Sequence, residues 1–360
     1  MGQRLHRASR ILPVTACNIL MLPPEILIRI FLFLDVRSKC RVARVCREWS
    51  DIADIRSVWK DVEVSRLSPS SMCLAYVQRG IRRIRSPANP FDIVEWRQQL
   101  VGFLSHRREL SITPTEVEIS LDLMDVDNSI TNESLIGLLT CSSDSLHSLL
   151  LQQCRHITIE CIDVIGAKCP NLTTFGLKDC FGNSAFLDRG HFFWNALSKM
   201  TRLRRLELQR IGGINDEFFR CLVVDRSTGV VPTAAAAAPL LSLRCLTVDQ
   251  LITNASLEYI SRANWPNLTE LDLCMCSRIT YDAMRYLSSI KQLHRLKLPC
   301  LRPFILQYEL CAKDENGNYY SDIGMNTLAT SGVLNRLHSL TVSEISDRSM
   351  ELIAQCTTPR

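Results

Sequence analysis

The chain of 360 residues is 46% hydrophobic and 22% charged with a formal net charge of +5, a balance that suits a soluble globular protein holding a small module and one large or extended domain. No apolar run approaches the roughly 18 residues of a membrane span, because Arg29 interrupts the longest candidate, so no membrane association is expected. The 16 cysteines include no Cys-x-x-Cys pair and make neither a zinc nor a disulfide framework; a reducing cytoplasmic or nuclear setting is expected, with no metal and no cofactor.

Residues 1–20 carry Arg4, Arg7 and Arg10 without acids and lack the apolar stretch of a signal peptide, which predicts a disordered basic tail. Residues 21–64 form the first ordered segment. Pro23 or Pro24 suits the first turn of a helix, and Glu25 complements the positive end of its dipole. Ile26, Leu27, Ile30, Phe31 and Leu34 recur at helical spacing, with Leu32 and Phe33 widening the stripe. Val42, Val45, Cys46, Trp49, Ile52 and Ala53 give a second apolar face, leaving Arg41, Arg44, Arg47 and Glu48 for solvent, so two short amphipathic helices are predicted. A segment of roughly 40 residues buries too little of its surface to be comfortable alone, so another protein is expected to complete part of that face.

In the order Leu22, Pro23, Glu25, Ile26, Leu27, Ile30, Phe31, Leu34, Val45, Cys46, Trp49 and Trp59, this segment resembles the F-box. The resemblance implies docking to the Skp adaptor of a cullin-RING ubiquitin ligase, with the cullin and RING subunit reached through the adaptor. It implies that the twelve residues just named, above all the Leu22-Pro23 start and the apolar face of the first helix, carry the contact. Arg37-Ser-Lys-Cys40 departs from the acidic or leucine-bearing link common in that family, which leaves the turn between helices open.

Residues 65–116 read as a helical linker that merges into irregular first repeats, with a helix over Phe91–Leu104. Eight arginines, Arg66, Arg79, Arg82, Arg83, Arg85, Arg97, Arg107 and Arg108, face only Asp92, Glu95 and Glu109 across 65–115, a local charge of 8 − 3 = +5. No aromatic interleaving or nucleic-acid motif accompanies them, so a solvated helical face or an acidic protein contact is expected rather than nucleic acid.

From residue 117 to 357 the chain repeats itself. Leu-x-x-Leu-x-Leu, with related residues allowed, begins at Leu146, Leu172, Leu203, Leu243, Leu268, Leu293 and Leu337, at intervals of 26, 31, 40, 25, 25 and 44 residues. The shorter intervals fall in the range of about 20–29 typical of leucine-rich repeats. The longer ones hold insertions, expected near 182–190, 225–240 and 302–322, where Gly, Pro, Ala and Asn runs interrupt the pattern. Ile130-Thr131, Ile157-Thr158, Ile214-Asn215, Ile252-Thr253, Ile279-Thr280 and Ile345-Ser346 recur between strand and helix, the apolar residue burying and the polar one placed to cap the next helix. Each unit is therefore strand, turn, helix. One unit cannot bury its apolar edge alone, so neighbours stack into a curved solenoid with strands on the concave side. The predicted fold class is α/β: a short all-helical F-box module followed by a leucine-rich-repeat solenoid. Cys154, Cys180 and Cys276 stand after the strand, where these repeats place Asn or Cys, and resemble the cysteine-containing subtype that often follows an F-box; small buried turn residues are expected, not nucleophiles.

Alternation turns the leucines inward and the intervening residues outward. Among the outward residues Lys178, Arg205, Glu207, Asp249, Glu270, Asp272, Arg295 and Lys297 are the candidates for holding a partner of two-signed charge. No Walker loop, Gly-x-Gly-x-x-Gly, His-Glu-x-x-His or Gly-x-Ser-x-Gly is present, and His147, His294 and His338 recur after repeat-opening leucines as structural residues would, so no catalytic residue is expected. Two functions fit. One is the substrate receptor of an SCF (Skp-cullin-F-box) ubiquitin ligase, with an unknown protein as target. The other is a leucine-rich-repeat scaffold or inhibitor that acts without ubiquitination.

Overall fold

The computed structural model describes residues 22–59, 62–64, 83–85, 98, 118–125, 130–181, 190–220, 240–249, 251–263, 265–299, 320–342 and 345–357. The described residues divide into two compact units, a helical one closing at Val62 and a larger one that begins at Glu63.

The helical unit begins with α1, Pro24–Leu32, where Pro24 occupies a position whose N–H has no partner to lose and Glu25 lies in the first turn. The chain then turns once and Asp35 restarts it, its carboxylate accepting the Ser38 N–H at 2.8 Å as the N-cap of α2, Val36–Val42. A separate helix α3, Arg47–Ala53, and a single turn α4, Arg56–Trp59, complete the unit. The continuous second helix expected over Val42–Ala53 is thus two helices, because the chain turns at Ala43–Val45 and Cys46 is extended, with φ −155°. The Arg37–Cys40 link is itself helical. Leu27, Phe31, Ile52, Ala53, Val58 and Trp59 are buried, the Phe31 ring meets Trp49 edge-on at 5.5 Å, and the Trp59 indole N–H donates to the Ala53 carbonyl.

In the larger unit ten parallel strands lie side by side in chain order among the described residues. They are β1 Glu63–Val64, β2 Arg83–Arg85, β3 Glu118–Met124, β4 Leu146–Gln152, β5 Thr174–Lys178, β6 Arg205–Gln209, β7 Cys245–Asp249, β8 Glu270–Met275, β9 Arg295–Lys297 and β10 Ser339–Thr341. Each expected leucine motif delivers one strand. Three more, β1 to β3, precede the first motif, and nearly all of the 65–116 stretch, including the helix expected over Phe91–Leu104, lies outside the described residues, as do most of the three insertions. Helices α5 Asn132–Ser142, α6 Ile159–Lys168, α7 Gly190–Ser198, α8 Asp216–Arg220, α9 Asn254–Arg262, α10 Tyr320–Thr330 and α11 Asp347–Thr357 alternate with the strands, and a 3₁₀ helix over Tyr281–Ser289 takes the place of one.

Stacking follows from the register. Leu121, Leu149, Phe175, Leu206, Leu246, Leu271 and Leu296 are aligned across β3 to β9, and every one is at most 1% exposed. On the helical side, α6 approaches α7 so closely that a Cβ on Gly166 would stand 2.6 Å from the Ala196 carbonyl oxygen.

Two polar devices join successive coils. At the strand exits Gln153, Asp179 and Arg210 adopt left-handed φ values of 55°, 53° and 53°, which costs a non-glycine residue roughly 1–2 kcal/mol each. That conformation turns the N–H toward the next coil. Gln153 donates to the Lys178 carbonyl at 2.8 Å, Asp179 to the Gln209 carbonyl at 3.0 Å, and Arg210 to the Asp249 carboxylate. At the helix starts the Ile-polar pairs divide by role. Thr131 and Thr253 cap their helices as expected, each hydroxyl accepting a backbone N–H. Thr158 and Thr280 do not, because an asparagine one coil earlier takes them: Asn132 Nδ2 donates to Thr158 Oγ1 and Asn132 Oδ1 accepts the Thr158 N–H, both at 2.9 Å. Asn254 repeats this with Thr280 at 2.8 and 2.9 Å.

Asn254→Ala removes both bonds and leaves the part-buried Thr280 N–H without its acceptor, so urea unfolding is expected to show a loss of about 1–3 kcal/mol. Asn254→Asp, which keeps the acceptor, should lose less. An unchanged midpoint in Asn254→Ala would show that the side chain does not join the coils.

Candidate docking surfaces

The twelve residues assigned to adaptor binding divide into two sets. Leu27, Phe31 and Trp59 are buried and hold the helical unit together, with Leu22, Leu34, Cys46 and Trp49 half-buried beside them. Pro23, Glu25, Ile26, Ile30 and Val45 face outward, Val45 being 61% exposed. Two further residues that carried no assignment join the outward set: Leu32 is 42% exposed and Phe33, at the end of α1, is 91% exposed. Ile26, Ile30 and Phe33 stand four and three residues apart and so share one side of the helix. Leaving a phenylalanine in water forgoes about 1.5–3 kcal/mol that its burial would supply. A helix that packs Leu27 and Phe31 inward while presenting Ile26, Ile30 and Phe33 outward is apolar on two sides, and only one of them belongs to the unit's own core.

The second surface is the solvent-facing side of the sheet. Three rows of side chains run across it: one from Ser148 through Thr174, Arg205, Cys245 and Glu270 to Arg295, a second from Asp122 through Leu150, Gly176, Glu207, Thr247 and Asp272 to Lys297, and a shorter third of Gln152, Lys178 and Gln209. Most of the candidate partner-binding charges here are bound to each other. Arg205 contacts Glu207 at 3.3 Å and Glu270 at 3.7 Å, Arg295 approaches Glu270 at 3.8 Å, and Lys297 meets Asp272 at 2.8 Å. Hydrogen bonding to Asp272 raises the Lys297 pKa above its ordinary value. Three cations and three carboxylates make this part of the face self-neutral.

Arg205 and Glu270 lie two strands apart and reach across Cys245, which is only 5% exposed beneath them. Burial, with a hydrogen bond to Glu270, pushes the Cys245 thiol up to about 12. Asp249 is 4% exposed and takes the Arg210 N–H, so the structure places it as the acceptor that ends β7, in the role a main-chain carbonyl fills one coil earlier. Alternation alone put it outward. Of the eight candidates, Lys178 alone has neither an ion pair nor a burial role among the described residues.

Among the described residues the thiols at the strand exits are buried. Cys154, Cys180 and Cys276 are buried behind the strand exits, and the Cys180 and Cys276 thiols donate to main-chain carbonyls of the preceding coil, Leu151 at 3.3 Å and Val248 at 3.3 Å. Burial pushes Cys161 up to about 11 and Cys169 up to about 12. The His294 and His338 rings pack at 4.9 Å, a contact between neighbouring coils. Among the described residues no group of three or more His, Cys, Asp or Glu is placed to hold a metal ion, and no helix is long and apolar enough to cross a membrane.

A helical unit with an outward apolar stripe, followed by strand-turn-helix coils stacked on a parallel leucine ladder, defines an F-box and leucine-rich-repeat architecture. Residues 19–65 match the F-box-like domain family. F-box/LRR-repeat protein 5 of Danio rerio is 23% identical over 222 residues, covering 59% of this chain and 31% of that protein. F-box/LRR-repeat protein 12 of Homo sapiens is 39% identical over 44 residues, 12% of this chain and 14% of the relative. The fold is similar to one in the crystal structure of the Rad7 and Elc1 complex in yeast, with a TM-score of 0.54 and 14% identity over 92% of this chain and 79% of that one. The chain thus carries an F-box-like domain and is a distant relative of F-box/LRR-repeat proteins, whose members are generally non-catalytic adaptor subunits and typically SCF substrate receptors. The match spans about a third of the length of the first of these relatives.

Exposure predicts the order of alkylation. Treated with iodoacetamide at mildly alkaline pH and mapped by mass spectrometry, exposed Cys274 should react well before Cys154, Cys161, Cys169, Cys180 and Cys276, which should label only in denaturant. Early labelling of Cys180 or Cys276 would contradict their place in the turns.

Proposed function

We propose that this chain is the substrate-recognition subunit of an SCF ubiquitin ligase. Its helical unit docks a Skp-family adaptor, through which a cullin and a RING subunit are reached, and its leucine-rich repeats hold the protein to be ubiquitinated. The observation that carries the reading is the outward Ile26, Ile30, Phe33 and Val45 on a unit that matches the F-box-like family. The chain's chemical contribution is proximity. Holding target and ligase on one scaffold turns a bimolecular transfer into an effectively intramolecular one, and no side chain of the chain acts on the transferred group. A cytoplasmic or nuclear setting is part of the proposal, supported by the free thiols of the described cysteines.

The two sets of apolar residues make the test specific. Ile30→Asp with Phe33→Asp should weaken capture of a purified Skp-family adaptor by at least about 30-fold, the loss of an interface anchor worth ~2 kcal/mol, with the melting curve of the chain unchanged. Phe31→Ala should instead unfold the helical unit, at a cost of about 3–5 kcal/mol. Wild-type protein that captures no adaptor at micromolar concentration, with its repeats folded, would overturn the reading in favour of a scaffold that acts without ubiquitination.

A further inference from the structure

Each strand from β5 to β10 is entered through a short turn with leucine third: Pro-Asn-Leu-Thr over 170–173, Thr-Arg-Leu-Arg over 201–204, Leu-Ser-Leu-Arg over 241–244, Pro-Asn-Leu-Thr over 266–269, Lys-Gln-Leu-His over 291–294 and Asn-Arg-Leu-His over 335–338. The leucine points inward, and Leu172, Leu203, Leu243, Leu268 and Leu293 are at most 1% exposed. The other positions carry Arg202, Arg204, Arg244, Lys291 and Arg336 and no acid. Arg336 is committed to the fold, its Nη2 donating to the Leu287 and Ser288 carbonyls at 3.0 and 3.2 Å. Arg202, Arg204, Arg244 and Lys291 are exposed.

Arg204 and Arg244 stand directly opposite each other. The register pairs Arg205 with Cys245, and the Arg244 N–H donates to the Arg204 carbonyl at 2.7 Å. Like charges in that relation destabilise a sheet. One residue further along, the same problem is solved with carboxylates: Arg205 has Glu207 and Glu270, and Arg295 has Glu270. The entry row lacks that remedy. Among the described residues Arg204, Arg244 and Lys291 have no ion pair, and Arg202 Nη1 donates to the neutral Asn171 amide oxygen at 2.5 Å. The turn before β4 carries exposed Asp144 instead, which ends the row on that side.

A row of unmatched cations fits an anion, and its layout selects the kind. The charges are spread over the coils of β6, β7 and β9, and three strand spacings of about 4.8 Å separate the ends by roughly 14 Å. Three carboxylates on alternate residues of an extended chain, about 7 Å apart, cover that length. A single phosphate would reach only one end of it. Single-stranded nucleic acid is held by stacking its bases on aromatic side chains, and the six turns contain no Phe, Tyr or Trp.

Resting on the reading in which the repeats hold the target, we infer that the strand-entry edge of β6 to β9 binds an extended acidic segment of that target, with three Asp or Glu on alternate residues. The segment crosses the strands. Arg202, Arg204 and Arg244 take the first carboxylates in charge-assisted hydrogen bonds, and Lys291 meets the last. Binding relieves the repulsion between Arg204 and Arg244 and breaks no existing ion pair.

The probes are rhodamine-labelled nonapeptides on a Gly-Ser background carrying three Glu, three Gln or three Lys on alternate residues, and an oligothymidylate of the same length, titrated by fluorescence polarisation into the full chain. The Glu peptide should bind at least about tenfold more tightly than the Gln peptide. Arg204→Glu with Arg244→Glu should reverse the preference toward the Lys peptide, a gain that misfolding cannot mimic. Arg262→Glu with Arg348→Glu, the same charge change at exposed positions of helices α9 and α11, should leave the preference for Glu intact. Equal binding of the Glu and Gln peptides, no reversal in the first double variant, the same reversal in the second, tighter binding of the oligonucleotide, or no binding at millimolar peptide would each overturn the inference. Adaptor capture measured on the same samples separates the outcomes: its loss in wild type speaks against the ligase reading, while its retention without peptide selectivity speaks against the strand-entry row alone.

Discussion

No single coil of the larger unit can bury its own leucines, and everything else in that unit depends on this constraint. A strand of five residues, flanked by one helix, leaves its apolar edges in water until another coil covers them. Parallel pairing solves the problem twice, supplying main-chain hydrogen bonds between neighbours and aligning Leu149, Phe175, Leu206, Leu246, Leu271 and Leu296 in one dry row. The polar devices follow the same direction. Left-handed residues at the strand exits and asparagines at the helix starts each satisfy a group on the next coil rather than on their own. Because Phe175 and the aligned leucines pack on one side of the sheet, the other side is released from the core.

Recognition on that side is constrained by charge pairing. Arg205, Glu207, Glu270 and Arg295 contact each other across three strands, and each exposed pair is individually weak in water. Their shared effect is on selectivity: a ligand that pairs with one of them must displace a partner already present. Among the described residues Lys178 lies outside this network, with half-exposed Leu150 on the neighbouring strand. In the helical unit the same logic is written in apolar residues. Phe31 and Leu27 are committed to the core, and Ile26, Ile30 and Phe33 are not.

Features with a sequence period are legible in the sequence alone. The leucine motifs located seven strands, the Ile-polar pairs located the helix starts, and alternation sorted most residues to the correct side of the sheet. What escaped had no period. The turn at Ala43–Val45 interrupts an apolar pattern that continues unbroken through it, since Val42, Trp49 and Ile52 would also fit one helix. Asp249 and Cys245 occupy outward positions by alternation, yet are buried because Arg210 and the Arg205–Glu270 pair act on them from other coils, contacts separated by 39 and 65 residues in the chain (249 − 210; 270 − 205). Phe33 was visible as a widening of the stripe, but only the ending of α1 at Leu32 shows it to be outside the core. Threonine identity likewise predicted a helix cap at 158 and 280 without revealing that an asparagine one coil earlier claims the hydroxyl.

The central claim is a division of labour, in which the helical unit meets the ligase and the open face of the repeats meets the target. Hydrogen–deuterium exchange of the chain alone and saturated with a Skp-family adaptor tests it most directly. The account predicts added protection within residues 22–59, strongest at the outward residues of α1 and near Val45, with exchange in β4 to β9 unchanged. Protection appearing on those strands instead, with residues 22–59 unaltered, would contradict it.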